Sequence, residues 1–365
     1  MQGDQEALHG RGATRNPPNR FTPLWHERDP DWTDPMMASS HMQKTALRFC
    51  IIYLPTLQQM RELAKLATPS ILLPILFASP IPMEEAMPDT LVASHAITVE
   101  DVEYQPGLLA RLYRPAGTGP FPAALQVHGG AWTSKDRTDN AFMAKALAES
   151  GIFVASIDFR MPPVAPHPGS IQDINLGVRW LKAHARSFGS RPDWVGSFGT
   201  SSGGHQVLLA AMRPTDPRYT MLPGPAGVDA AQAWVISGWG VLDPLLRYNL
   251  AKQAGKKDLV HHHDTFWLTE EAHAEAAPPT MLKRGEQCAL PPALVFGGDR
   301  DEWVPVELMR SFVADYNKAG GHAELQLYED ADHGFMTGKP DAPYAARALE
   351  RMKEFIRKHT TAAVS

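Results

Sequence analysis

FGTSSGGHQ, residues 198–206, sets two serines between glycines. Only Ser201 satisfies the pattern G-x-S-x-G, which it does through Gly199 and Gly203. The apolar run before it predicts a buried strand, and a helix is expected to begin near Ser202. A serine at such a strand-to-helix turn is held in a strained, exposed conformation, and small neighbours let other atoms approach it. The alternative is that the glycines only allow a helix to pack closely on a sheet, with no catalytic role for the serine. Other motifs in the chain are needed to distinguish these two interpretations.

From residue 96 onward, strand patterns and helix patterns alternate along the chain. Short apolar runs, such as PAALQVH (122–128) and IFVASID (152–158), predict buried strands. Segment 170–185 instead repeats apolar residues three and four positions apart, which predicts an amphipathic helix. Further strands are predicted at 96–105, 108–115, 194–199, 231–237, 292–298 and 323–329, and further helices at 140–150, 305–319 and 342–358. This alternation predicts an α/β protein with a mostly parallel sheet covered by helices on both faces.

The interval 240–290 interrupts the alternation. Asp243 is a predicted N-cap, with Pro244 at the first helical position and Gly255 where the helix should stop. A second helix is expected to begin at Thr269, with two acidic residues in its first turn. The interval is too helical for a plain loop, and it is predicted to form part of a lid.

The chain is therefore predicted to have five segments. They are a polar N-terminal tail (1–45), N-terminal helices that contribute to a cap (46–95), the first part of the core (96–239), a helical cap or lid insert (240–290) and the second part of the core (291–365). The apolar stretch 46–79 is expected to pack either on the cap or on a second subunit, which leaves a homo-oligomer open.

Composition excludes several classes of protein. The formal charge of −5, with no basic stripe, argues against nucleic acid as the main partner. Two cysteines are too few for a disulfide framework and favour a reduced, cytoplasmic compartment, with a single bridge as the alternative. The most apolar run, 70–80, is short and broken by Pro74, so no membrane span is expected.

A serine hydroxyl is a poor nucleophile and needs a base that is held by an acid. His333 follows the last predicted strand in a short polar loop, and Asp301 follows the strand before that one. Asp299 is the alternative acid. The order Ser201, Asp301, His333 is the order of the α/β-hydrolases.

The same chemistry needs N–H donors for the oxyanion of the tetrahedral intermediate. HGGAW (128–132) comes directly after a predicted strand, where backbone N–H groups can turn toward the serine. Gly130 and Ala131 are the predicted donors together with Ser202, while Gly129 shapes the turn.

These motifs resemble those of the hormone-sensitive-lipase-like branch (bacterial family IV) of the α/β-hydrolases. HGGAW resembles H-G-G-G-W with Ala131 at the third glycine, and GTSSGG (199–204) resembles G-[DT]-S-A-G-G with Ser202 where alanine is usual. DFRMPP (158–163), DEWVP (301–305) and DHGF (332–335) are similar to the motifs D-Y-R-L-A-P and D-x-x-V-P and to the terminal histidine motif of that branch. The resemblance extends over residues 96–358.

The resemblance implies an α/β-hydrolase fold, in which helices flank a mostly parallel eight-stranded sheet. It also implies a helical cap built from N-terminal helices and from an insert near the sixth strand, here 46–90 and 240–290. The implied activity is that of a carboxylesterase-type serine hydrolase. Ser201 would attack a small or medium-sized ester, His333 would carry the proton and Asp301 would orient the imidazole. An acyl-enzyme forms and water hydrolyses it, so no cofactor is expected.

Several alternatives stay open at this point. Amides, arylformamides and carbamates are cleaved by the same machinery. A hydrolase-fold binding protein without turnover usually lacks a triad residue, whereas all three positions are filled here. HHHD (261–264) could be a metal site, but adjacent histidines point in different directions, which favours a solvated lid segment and no metal.

The predicted substrate contacts are aromatic. Trp132 and Trp239 are predicted to line the pocket, and Phe266 and Trp267 are expected either to line it from the lid or to pack in the core.

Overall fold

The computed structural model of the protein describes residues 94–360. The predicted tail 1–45 and all but the last two residues of the predicted helical segment 46–95 lie outside the described residues. Everything said of the fold and the site concerns the described part.

One sheet of eight strands forms the centre of this part, in the order β1-β2-β4-β3-β5-β6-β7-β8. The strands are β1 (Ile97–Gln105), β2 (Leu108–Pro115), β3 (Phe121–Val127), β4 (Phe153–Ile157), β5 (Ser190–Thr200), β6 (Val235–Gly238), β7 (Ala293–Gly298) and β8 (Ala323–Tyr328). The β1–β2 and β2–β4 pairs are antiparallel. All pairs from β4 through β8 are parallel. The predicted mostly parallel, eight-stranded α/β sheet is therefore confirmed.

The described helices are α1 (Ala141–Glu149), α2 (Gly169–His184), α3 (Ser202–Met212), α4 (Pro244–Gln253), α5 (Lys257–Trp267), α6 (Glu270–Glu275), α7 (Pro278–Lys283), α8 (Val306–Lys318), α9 (Phe335–Gly338) and α10 (Pro343–Lys358). Successive residues of β3 belong to opposite layers, since Leu125 packs in one hydrophobic cluster and Ala124 in the other. The first cluster takes apolar side chains from α2, α3 and α8, and the second takes them from α1 and α10. Within 94–360, none of these helices is both long and apolar enough to cross a bilayer.

The ends of two strands differ from the prediction. β5 begins at Ser190 instead of 194, because its first residues pair with β3 across an irregular register. β6 begins only at Val235 instead of 231. The backbone of Ala231 is taken by side chains, since its N–H donates to Asp229 and its carbonyl accepts from Lys182. These bonds hold the backbone of Ala231 outside the sheet, whereas Ala233 and Trp234 already bond to β5 just before the strand begins.

The interval between β6 and β7 contains α4 to α7. As predicted, the Asp243 side chain caps the first of them by accepting from the N–H of Leu246 at 2.9 Å. Thr269 caps α6 by accepting from the N–H of Ala272 at 3.2 Å. Gly255 has φ +65°, a left-handed conformation that ends a helix with little strain when the residue is glycine.

Gly203, in the first turn of α3, sets how closely that helix approaches β3. A Cβ at this position would lie 2.3 Å from the carbonyl oxygen of Val127 and 2.4 Å from that of His128. These are backbone atoms at the end of a central strand and directly after it, and they cannot move aside without disturbing the sheet. We therefore expect Gly203→Ala to lower the free energy of unfolding by about 1–3 kcal/mol or more, measured by urea denaturation.

The matched control is Gly338→Ala. Gly338 is exposed, and a Cβ there would meet nothing within 4 Å. Its free energy of unfolding should stay close to that of the wild type. An equal loss in both variants would mean that the close approach of α3 to β3 is not what requires a glycine at 203.

Candidate active site

Ser201 lies at the turn between β5 and α3. Its backbone has φ +53° and ψ −122°, a conformation that is strained for any residue with a side chain. Hydrogen bonds hold the turn from both sides: its N–H donates to the Gly238 carbonyl at 3.0 Å, and its own carbonyl accepts from the N–H of Val241 at 3.1 Å. The serine side chain is thereby presented at the carboxyl ends of the central strands.

The structure brings the three predicted triad residues together. The Ser201 hydroxyl lies 2.9 Å from Nε2 of His333, and Nδ1 of that ring lies 2.8 Å from Oδ2 of Asp301. The three residues follow β5, β7 and β8, whose carboxyl ends lie at one edge of the sheet. Ligand sites of parallel sheets lie at this edge.

Asp301 is fixed in place by the turn that follows it. Its side chain is fully buried, and Oδ1 accepts from the N–H groups of Trp303 and Val304 at 2.8 and 2.9 Å. Only Oδ2 is left to face His333. Asp299, the alternative acid, is exposed, and its Oδ1 accepts from the N–H of Asp330 instead.

The acceptors around His333 determine its tautomer. An ionised Asp301 can only accept, so Nδ1 of the ring carries the proton and donates it to Oδ2. Nε2 then has a lone pair and accepts from the Ser201 hydroxyl. This is the arrangement that a general base for a serine nucleophile requires.

The loop after β3 lies directly against the serine. A Cβ on Gly129 would be 3.1 Å from the Thr200 carbonyl oxygen and 3.4 Å from Cβ of Ser201. The next residues turn through left-handed backbone, with φ +93° at Gly130 and +50° at Ala131. Within residues 94–360, no protein acceptor is bonded to the N–H groups of Gly130, Ala131 or Ser202.

Ser202 has a role that sequence reasoning missed. Its Oγ accepts from the backbone N–H of Trp132 at 3.2 Å. The hydroxyl at a position where the resembling family usually has alanine therefore ties the loop after β3 to the start of α3. The serine itself was visible in the sequence, but nothing local pointed to a partner seventy residues away.

Trp132 and Trp239 are both buried, with 0% and 2% exposure. Trp132 stacks on Phe266 at 5.6 Å between ring centroids and meets Trp267 edge-on, so both aromatic residues of the insert pack in a core cluster. Trp239 packs edge-on against Phe296 of β7 and against Phe335, which follows β8 in the chain. That either tryptophan contacts substrate stays a prediction.

Two histidines connect this region to the insert. His205 accepts from the Trp132 indole at 3.4 Å and donates to the Ala276 carbonyl at 2.9 Å. Burial lowers the pKa of His205 to about 4, so the ring is neutral at physiological pH. His262 shares a hydrogen bond of 2.6 Å with the Thr133 hydroxyl.

The other two histidines of the HHHD stretch point elsewhere. His263 is buried, and its Nδ1 lies 3.0 Å from Nε2 of His273, whereas His261 is exposed. Within residues 94–360, no three side chains of the metal-binding types lie close enough together to hold an ion.

Arg247, on α4, is a second residue that the sequence did not reveal. It lies with His333 on the wall of a cavity of about 620 Å³. The remaining lining residues are Trp303 and the segment 255–259. A single arginine in a helix of the insert carries no sequence signal that distinguishes it from a surface residue.

Comparisons with known proteins match most of the described part of the chain to ester hydrolases. The family model BD-FAE matches residues 111–315, and that of the dienelactone hydrolase family matches residues 272–360. The chain is 29% identical over 253 residues to the probable carboxylic ester hydrolase LipM of Mycobacterium tuberculosis, covering 64% of this chain and 54% of that protein. It is 32% identical over 244 residues to the carboxylic ester hydrolase LipN of the same organism, covering 62% and 60%. The chain thus spans a little over half the length of these curated relatives.

Solved structures show the same fold. A hyperthermophilic esterase from Pyrobaculum calidifontis superimposes with a TM-score of 0.62 at 19% identity, covering 74% of this chain and 89% of that one. Esterase B from Lactobacillus rhamnosis gives a TM-score of 0.62 at 21% identity, covering 72% and 87%.

Proposed function

The chain belongs to the BD-FAE family, and from that premise we propose that it is a carboxylesterase of the hormone-sensitive-lipase-like branch of the α/β-hydrolases. The single observation that carries the proposal is the continuous hydrogen-bonded path from the Ser201 hydroxyl through His333 to Asp301.

In the proposed acylation step, Oγ of Ser201 attacks the ester carbonyl carbon while Nε2 of His333 takes the hydroxyl proton. The carbonyl oxygen becomes an oxyanion, and the N–H groups of Gly130, Ala131 and Ser202 are proposed to donate to it. Collapse of this intermediate breaks the bond to the alcohol oxygen, which receives the proton from His333. The products of the step are a free alcohol and an acyl-serine.

In the proposed deacylation step, water replaces the alcohol. Nε2 of His333 takes a proton from the water as its oxygen attacks the acyl carbon, and the proton returns to Oγ of Ser201 as the acid leaves. The buried Asp301 carboxylate stabilises the imidazolium in both steps. Each cycle consumes one ester and one water and releases one alcohol and one acid, so no cofactor takes part.

Helices α4 to α7 are proposed to form a cap over this edge of the sheet. The support is the shared cavity, to which the insert contributes Arg247 and segment 255–259 while the core contributes His333 and Trp303. The bond from His205 to the Ala276 carbonyl supports a fixed position for the far end of the insert.

Ester is proposed over amide because the curated relatives are described as carboxylic ester hydrolases. The test is a panel of para-nitrophenyl acetate, butyrate and octanoate beside an anilide and an N-formyl arylamine. Initial rates are corrected with Ser201→Ala protein. We expect kcat/KM to be highest for the shorter esters and lowest for the anilide. Faster cleavage of the formamide or the anilide than of every ester would replace the proposal with an amide-bond specificity.

A further inference from the structure

Arg247 is a buried cation without a protein counter-ion in the described part of the chain. Arg247 is only 5% exposed, and neither Nε nor Nη1 of its side chain has a hydrogen-bond partner. Arg213 shows the contrast: although also largely buried, it pairs with Asp216 and Glu286. A charge taken out of water in this way is stable only if something nearby compensates for it.

Two neighbours of Arg247 compensate for it only in part. The guanidinium carbon lies 5.3 Å from the centre of the Trp132 ring, and such a cation–π contact returns less than the loss of hydration costs. The Asp301 carboxylate attracts the cation, but its oxygens already accept from His333, Trp303 and Val304. Nε and Nη1 of the guanidinium therefore still lack an acceptor among the described residues.

The cavity supplies the place for that acceptor. Arg247 and His333 line the same space, and Lys256 and Lys257 stand exposed at its rim against a single carboxylate, that of Asp258. Burial lowers the pKa of Arg247 to about 10, which still leaves the side chain charged at neutral pH. The wall beside the proposed catalytic base is therefore positive.

We propose that Arg247 binds a carboxylate group of the ester substrate, so that the preferred substrates are anionic esters. The guanidinium presents parallel N–H donors that match the two oxygens of a carboxylate. This inference rests on the proposed function, because it places the carboxylate in an ester that Ser201 attacks. The carboxylate belongs to either the acyl half or the alcohol half, and the test has one arm for each.

The first arm compares mono-para-nitrophenyl glutarate with para-nitrophenyl pentanoate. The second compares para-carboxyphenyl acetate with the methyl ester of the same compound. The ratio of kcat/KM within each pair is normalised to the ratio of the uncatalysed rates. In wild-type protein we expect the anionic member to be preferred in at least one pair. In Arg247→Met that ratio should fall by about tenfold to a hundredfold, as for the loss of a charge-assisted hydrogen bond. Arg247→Lys should retain part of it.

Lys257→Met is the matched control, because it removes an exposed cation from the rim of the same cavity. Its selectivity ratio should change by a few fold at most. Three results would overturn the assignment: no anionic preference in either pair of the wild type, an equal fall for both members of each pair in Arg247→Met, or an equal fall of the ratio in Lys257→Met.

Binding without turnover separates this inference from the proposed function. Monomethyl glutarate and para-carboxyphenyl acetate are titrated calorimetrically into Ser201→Ala and into Ser201→Ala/Arg247→Met. We expect one of the two anions to bind the first protein at least tenfold more tightly than the second. This result would uphold the arginine site even if the wild type hydrolysed no ester. Equal affinities for both anions would refute the site even if the wild type hydrolysed neutral esters well.

Discussion

Ser201→Ala is expected to lower kcat for para-nitrophenyl butyrate by about 10⁴- to 10⁶-fold, the range seen when a serine hydrolase loses its nucleophile. The hydroxyl is the only atom that changes, and its hydrogen-bond partner is Nε2 of His333. The backbone of the turn is held by bonds to Gly238 and Val241, so the fold should survive. Initial rates measure the loss of kcat. Labelling with a fluorophosphonate probe, followed by peptide mapping, shows whether Ser201 is the residue that reacts.

Ser311→Ala serves as the control, since its hydroxyl is exposed on α8 and donates only to the Leu308 carbonyl. Both its rate and its labelling should match the wild type. If Ser201→Ala hydrolysed the ester as fast as the wild type, the proposed mechanism would be wrong at its first step.

Asp301→Asn should reduce kcat by about 10⁴-fold, as it does in other triads, although the two side chains have the same shape. The reason lies in the turn. The N–H groups of Trp303 and Val304 both need an acceptor, so the asparagine carbonyl must take the place of Oδ1. Its NH₂ group then faces Nδ1 of His333 and donates to it. The ring is forced into the tautomer that carries its proton on Nε2, which cannot accept the proton of Ser201.

Asp299→Asn tests the alternative acid under the same chemistry. Asp299 is exposed, and asparagine can still accept from the N–H of Asp330. We expect kcat of Asp299→Asn to stay within a few fold of the wild-type value, measured in stopped-time assays at several pH values. A larger loss in Asp299→Asn than in Asp301→Asn would exchange the two assignments.

Much of this arrangement follows from the sequence because its signals are local or topological. Alternating strand and helix patterns predicted the parallel sheet, and each motif lies at the carboxyl end of a strand in that sheet. Residues as far apart as Ser201 and His333 could thus be assigned to one edge. The helix caps at Asp243 and Thr269 could be predicted because each cap bonds to an N–H group only three residues later in the chain.

Contacts between segments that are far apart in the chain could not be predicted from the sequence. The sequence favoured Asp301 over Asp299 through the likeness of DEWVP (301–305) to D-x-x-V-P, but it could not show that this carboxylate accepts from two N–H groups of the turn and faces His333. That Arg247 has no counter-ion among residues 94–360 is a property of the packed insert, and the residues beside it in the sequence do not indicate it. The bond from Trp132 to Ser202 joins segments that no local pattern connects.

The position of β8 has a consequence for biosynthesis. β8 lies at one edge of the sheet and is synthesised after the seven other described strands, yet the histidine that follows it is needed for the proposed triad. A nascent chain can therefore form most of the sheet while it is still chemically inert. In the finished protein, loosening of this one border strand would switch off turnover while the interior stayed folded, so loss of activity on warming should precede the main melting transition.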